Sequence, residues 1–205
     1  MKKKVIVIGA GGHGNVIADI VRKSGDDLLG FLDDDETKKT LVDAPLLGDI
    51  ASCQNRSKDI YYIIGIGSAE IRRKIAERFA YLSWYTAVHP AAVIGENVEI
   101  GSGSAVMANA VINPGCRIGK HSIVNTGSVF EHGCCLGDFS HLAPGAVVGG
   151  DVVIGDFVHV GIGATLIHGC VIADRCLIGA GGVVVKNLPD SGVYVGVPVK
   201  KIKDI

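Results

Sequence analysis

The 205 residues suit one large domain or two small ones and can bury a substantial core. Twenty Lys and Arg balance twenty-one Asp and Glu without a long basic run, which argues against nucleic acid or a membrane surface as a partner. Met1-Lys-Lys-Lys4 leads into an apolar run too short for a signal segment, so a soluble, cytoplasmic protein is expected.

Lys4 to Ile8 is a β-branched run ending in Gly9-Ala-Gly-Gly-His-Gly14, after which Val16, Ile17, Ile20 and Val21 recur at helical spacing. A second strand, Leu28 to Leu32, stops at Asp33-Asp34. A third, Ile60 to Ile64, stops at Gly65-Ile-Gly67 and is followed by a helix over Glu70 to Phe79. A short helix is expected over Asp49 to Cys53 and a last strand over Trp84 to Val88. Strands alternating with helices predict a Rossmann-like parallel sheet over residues 1–88.

Gly9, Gly11 and Gly14 satisfy G-x-G-x-x-G between a strand and a helix, where backbone N–H groups receive phosphate. Gly12 and His13 lie in the same loop, and Gly65 and Gly67 line the end of the neighbouring strand. Asp33 and Asp34, about twenty positions on, stand where a carboxylate bonds a ribose. The motif alone leaves a dinucleotide, another nucleotide or a plain glycine turn open. Arg72 and Arg73 are read as surface residues of their helix.

From Ile94 to Val184 an aliphatic or aromatic residue returns every sixth position, and a small residue such as Ser104, Cys116 or Cys134 usually stands two places before it. This is the signature of a β-solenoid in which three hexads close a triangular turn and residues eighteen apart stack about 4.8 Å apart. The solenoid is assigned to residues 89–187, with 188–205 as a tail. Asn and Gly following the inward residues, as at Asn97, Asn109, Gly101 and Gly119, suit tight corners. Cys116, Cys134, Cys170 and Cys176 fall in the small-residue register and are expected to pack inward as free thiols.

The repeated (Ile/Leu/Val)-Gly hexads resemble the hexapeptide acyltransferases. Gly9-Ala-Gly-Gly-His-Gly14, Phe31-Leu-Asp-Asp34, Glu131-His132, Asp138-Phe-Ser-His141 and Gly192-Val-Tyr-Val-Gly-Val-Pro198 together resemble the NeuD/PglD family of sugar acetyltransferases. That resemblance implies a left-handed β-helix, a homotrimer with active sites at subunit interfaces, acetyl-CoA as co-substrate and no metal. It places the uridine diphosphate of a nucleotide sugar in the glycine loop. It makes His132 the general base, sets His141 near the acetyl group, and assigns an oxyanion donor to the Gly150 N–H. It also gives Asn125 a role in bonding the acceptor. Ile162, Ala180 and the tail to Pro198 line the coenzyme groove beside His141 and Gly150.

An imidazole neutral near pH 7 suits removal of a proton from an attacking amine. In PglD-like members a carboxylate follows the catalytic histidine, but Gly133 stands here. Either another acid, such as one from a neighbouring subunit, takes its place or the acceptor is less demanding. The function expected is N-acetylation of a UDP-linked 4-amino-4,6-dideoxy sugar by direct transfer. O-acetylation of a sialic-acid-type sugar and a non-catalytic nucleotide-sugar-binding trimer are the alternatives. A metal hydratase on the same solenoid would need three histidines meeting, for which His132, His141 and His159 supply the count, but the His-x4-His spacing of the hydratases is absent.

Overall fold

The β-branched runs of the amino-terminal half form β1 (Lys4–Ile8), β2 (Asp27–Leu32) and β3 (Ile60–Ile64), joined by α1 (Gly12–Lys23) and α2 (Ala69–Arg78). The computed structural model describes residues 2–205, in two compact units, Met1–Pro90 and Ala91–Ile205. The strand expected over 84–88 is instead two short ones, β4 (Ser83–Trp84) and β5 (Ala87–Val88). Tyr85, buried between them, donates its hydroxyl to Asp26 at 2.7 Å. The sheet order is β2-β1-β3-β4, all parallel, with Val5 to Ile8 fully buried. A short 3₁₀ helix, Ile50–Asn55, is capped by Asp49.

In the second unit each hexad contributes one short strand, sixteen in all, from β6 (Val93–Ile94) to β21 (Val183–Val184). They stack in parallel on three faces with an eighteen-residue register. The first face includes β10 (Arg117–Ile118) and β13 (Cys135–Leu136). The second includes β11 (Ile123–Val124), β14 (His141–Leu142) and β17 (His159–Val160). The third includes β12 (Val129–Phe130) and β15 (Val147–Val148). From Val106 onward the inward large residues are buried, Phe130 completely, because alternation along a strand sends every second side chain to the interior.

The small inward residues also satisfy backbone. Ser122 Oγ donates to Gly137 O at 2.7 Å and accepts from Ser140 N at 3.1 Å, and Ser140 repeats the pattern one coil later. Cys134 does the same with Gly149 O and Val152 N, so the inward thiols are hydrogen-bonding as well as space-filling. Burial pushes the Cys134 thiol up to about 12.

The corners depart from the expected pattern. Positive φ falls three places after each inward residue, at every sixth position from Asn97 to Gly181, and not at the glycines directly after it. Gly101, Gly119 and Gly137 are needed for a different reason: a Cβ on any of them would collide with the backbone one coil away. At the first corner the left-handed positions hold His121, Phe139, Phe157 and Arg175. That conformation costs roughly 1–2 kcal/mol for a residue with a Cβ. Stacking offsets it, with centroids 5.3 and 5.2 Å apart from His121 to Phe157 and the Arg175 guanidinium 4.6 Å above the Phe157 ring.

Residues 188–205 carry β22 (Gly192–Gly196), parallel to β20 (Cys176–Ile178), and β23 (Val199–Lys203), antiparallel to β22. The expected tail is thus a hairpin that extends the second face.

Candidate active site

His132 stands two places after Phe130, at the third corner, where the strand has ended and the side chain leaves the core. The side chain is 63% exposed. Its imidazole lies against the backbone one coil away, because Gly150 has no side chain there: a Cβ would sit 2.6 Å from His132 Cε1. Asp151 N donates to His132 O at 2.9 Å and locks the two corners together. Among the described residues the Gly150 N–H has no hydrogen-bond partner.

Neither carboxylate near His132 in sequence turns toward it. Glu131 accepts from the Asn113 side-chain amide at 2.8 Å, and Asp138 accepts from Lys120 N at 2.7 Å. The carboxylate that does approach is Asp151, whose Oδ1 is 3.8 Å from His132 Nδ1. It is not the neighbour of the histidine in sequence. Reading eighteen past Gly133 finds it.

His141 and His159 are paired across β14 and β17, with ring centroids 4.9 Å apart. Asn125 Nδ2 is 2.9 Å from His141 Nε2, while its own Oδ1 accepts from Thr126 N. The candidate residues of the solenoid therefore fall into two groups. His132 and Gly150 occupy the third corner; Asn125 and His141 belong to the second face and the corner after it. Ile162 and Ala180 are exposed at that same corner in successive coils, linked by Gly181 N to Ile162 O at 2.8 Å. The hairpin bearing Pro198 covers the neighbouring Gly179 and Gly182 with Val195 and Val199.

In the first unit the structure sorts the glycines. Gly9, Gly14 and Gly65 pack backbone to backbone: a Cβ on Gly65 would sit 2.5 Å from Gly14 Cα. Gly11, Gly12 and Gly67 face open space. Helix α1 starts at Gly11 with no side-chain cap, whereas Ser68 caps α2 by accepting from Ile71 N. The positive end of α1 therefore carries no side-chain cap. Asp33 is buried and holds the loop, accepting from Ala10 N and Lys38 Nζ at 2.8 Å and from Asp35 N at 3.0 Å. Asp34 is exposed and accepts from Ile50 N.

Arg72 corrects the expectation of a surface residue. It is 1% exposed, and its guanidinium donates to Ile66 O and Gly67 O at 3.2 and 2.6 Å, bracing the second glycine loop. Arg73 does lie on the helix surface, paired with Glu70 and Glu77. Arg72 also acts on His13: burial first, then the Arg72 charge, pulls the His13 imidazole down to about 4. Its Nε2 is buried with no hydrogen-bond partner among the described residues.

Comparison with known proteins gives two family matches, PglD N-terminal domain over residues 4–79 and bacterial transferase hexapeptide (six repeats) over residues 91–130. The acetyltransferase domain of PglB from Neisseria gonorrhoeae is 33% identical, with a TM-score of 0.93, covering 98% of this chain and 100% of that one. Perosamine N-acetyltransferase from Caulobacter crescentus, solved as a mutant with CoA and GDP-perosamine, is 35% identical over 98% and 97% of the two chains, with a TM-score of 0.91. UDP-N-acetylbacillosamine N-acetyltransferase of Bacillus subtilis is 33% identical over 113 residues, 52% of either chain, so the match spans about half the length of that relative.

Proposed function

Because this chain belongs to the PglD-like hexapeptide-repeat sugar acetyltransferases, we propose that it transfers acetyl from acetyl-CoA to the amine of a nucleotide-linked amino sugar. The observation that carries this reading is the exposed His132 imidazole seated over Gly150, beside a backbone N–H that no described residue occupies. The amine attacks the thioester carbonyl as His132 takes its proton. The Gly150 N–H receives the oxyanion, an interaction typically worth about 3–4 kcal/mol in acyl transfer. Collapse breaks the C–S bond, and His132 returns the proton to the coenzyme sulfur. Direct transfer needs no acyl-enzyme: Cys116, Cys134, Cys170 and Cys176 are buried, and half-buried Cys135 has no part in this reading.

The acceptor is a UDP-4-amino-4,6-dideoxy sugar, with its diphosphate at the uncapped start of α1 between Gly11, Gly12 and Gly67. Half-buried His13, held neutral at pH 7, lies in the same loop with its Nε2 unpartnered among the described residues. Asp33 holds the loop, and Asp34 stands at its rim. Asn125 and His141 face the acetyl group and acceptor, and Ile162, Ala180 and Pro198 line the pantetheine groove. Since His132 lies at the third corner and His141 on the second face of one chain, this reading completes the site with a neighbouring copy, as in a homotrimer.

The test is CoA release measured with acetyl-CoA and, in parallel, a UDP-4-amino-4,6-dideoxy sugar, the GDP-linked equivalent and sialic acid. Turnover with the UDP sugar at tenfold or greater preference is expected. Preference for the GDP sugar would overturn the uridine assignment, preference for sialic acid would overturn N-acetylation, and no turnover despite UDP binding would favour a binding protein.

A further inference from the structure

We propose that Asp151, reaching down from the next coil, is the carboxylate that orients His132. This rests on His132 being the base, as proposed above. A histidine base works when its second nitrogen is held by an acceptor, which fixes the tautomer and aims the reactive nitrogen. The residue after His132 is Gly133 and supplies no carboxylate. Glu131 and Asp138 are engaged by Asn113 and by Lys120 N.

Asp151 lies eighteen residues after Gly133, at the same corner position one coil on, with Oδ1 3.8 Å from His132 Nδ1. Its backbone N–H is bonded to His132 O, so the two residues cannot drift apart. The remaining approach to hydrogen-bond length needs only a side-chain torsion of an exposed aspartate, the kind of tightening that accompanies substrate binding.

Two features of the backbone point to the same assignment. Asp151 has φ of 59°, a left-handed position filled elsewhere by Gly, by Asn, or by the stacked side chains of the first corner. It is the one carboxylate among the fifteen such residues, and it has no stacking partner to offset the strain. The second feature is Gly133 itself: a Cβ there would overlap Asp151 Oδ1. The missing side chain at 133 and the carboxylate at 151 are therefore complementary, since the first makes room for the second.

With Nδ1–H donated to Asp151, the His132 Nε2 lone pair is free to accept the amine proton and later return it to sulfur. Asp151 keeps its charge throughout and touches no reacting atom, so it is a positioning residue.

The experiment compares D151N, H132A, the double variant and the relocated-carboxylate variant G133D/D151G, all in the full chain and in one assay with acetyl-CoA and the preferred amino sugar. Asn is nearly isosteric and tolerates a left-handed φ, so D151N should melt with the wild type. The expected result is a kcat loss of about 10- to 100-fold with unchanged KM for acetyl-CoA. In the H132A background D151N should cost little more, because a positioning group has nothing left to position. G133D/D151G should recover part of the D151N loss. Wild-type kcat in D151N, or a loss that persists undiminished in the H132A background, would overturn the role of Asp151. Full activity of H132A alone would instead remove the premise that His132 is the base.

Discussion

The first and third corners of the solenoid are built on one backbone and do opposite things with it. At the first corner the N–H of the residue two places after the inward one is closed by an aspartate from the next coil: Lys120 N by Asp138, Asp138 N by Asp156, Asp156 N by Asp174, at 2.7 to 2.8 Å. At the third corner the equivalent column runs His132, Gly150, His168, and none of these three N–H groups has a partner among the described residues. The α/β unit repeats the contrast, since Ser68 closes the start of α2 while the start of α1 has no side-chain cap. Among these open donors Gly150 stands apart, because it belongs to a buried residue lying against the His132 imidazole, and a buried donor without a partner is where an outside acceptor gains most.

The comparison can be broken most directly at His132, the proposed base. His132→Ala should lower kcat by about 10²- to 10⁴-fold with little change in acetyl-CoA affinity by calorimetry. His168→Ala, in the same column, should turn over like the wild type. Gly150→Ala should cost about 10²- to 10³-fold in kcat while leaving the melting temperature nearly unchanged, because its methyl group would push the imidazole off its seat. A G150A enzyme with normal kcat would show that the open donor is idle.

The uncapped helix start offers a test by pH. His13 titrates near its ordinary pKa of about 6.5 in the unfolded chain but near 4 when folded. As pH falls, the unfolded state takes up the proton first. The stability contributed by keeping His13 neutral is therefore present above about pH 6.5 and lost toward pH 4, up to about 3 kcal/mol. Denaturant melts over that range should show the slope, and His13→Gln should flatten it. The lowered carboxyls Asp26 and Asp33 act only further into acid. The smallest effect belongs to the closed corner: Asp138→Ala should cost about 1–2 kcal/mol of stability, with kcat unchanged.

The solenoid was legible in the sequence because its period is strict and two side chains per hexad must point inward. The three main strands and the helices of the first unit were legible for the same reason. What escaped was whatever depends on neighbours across coils or loops. Arg72 looked like a surface charge because helix patterning places arginine outward, yet two loop carbonyls draw it in. Asp151 is not legible beside His132 because the two are nineteen residues apart and meet only through the stacking of successive coils. The corner glycines are legible as glycines, but their two physical reasons are not: close stacking at Gly119 and a left-handed backbone at Gly133.

The eighteen-residue register has a consequence for how such chains change by insertion and deletion. Removing six residues between His132 and Gly150 would leave the hydrophobic pattern flawless and the coil foldable. It would also rotate everything downstream by one face, setting a different residue over the imidazole. Only losses or gains of whole coils preserve the vertical neighbours. Two relatives aligned perfectly by their hexads can thus be a third of a turn out of phase, and the residue above the histidine reveals it.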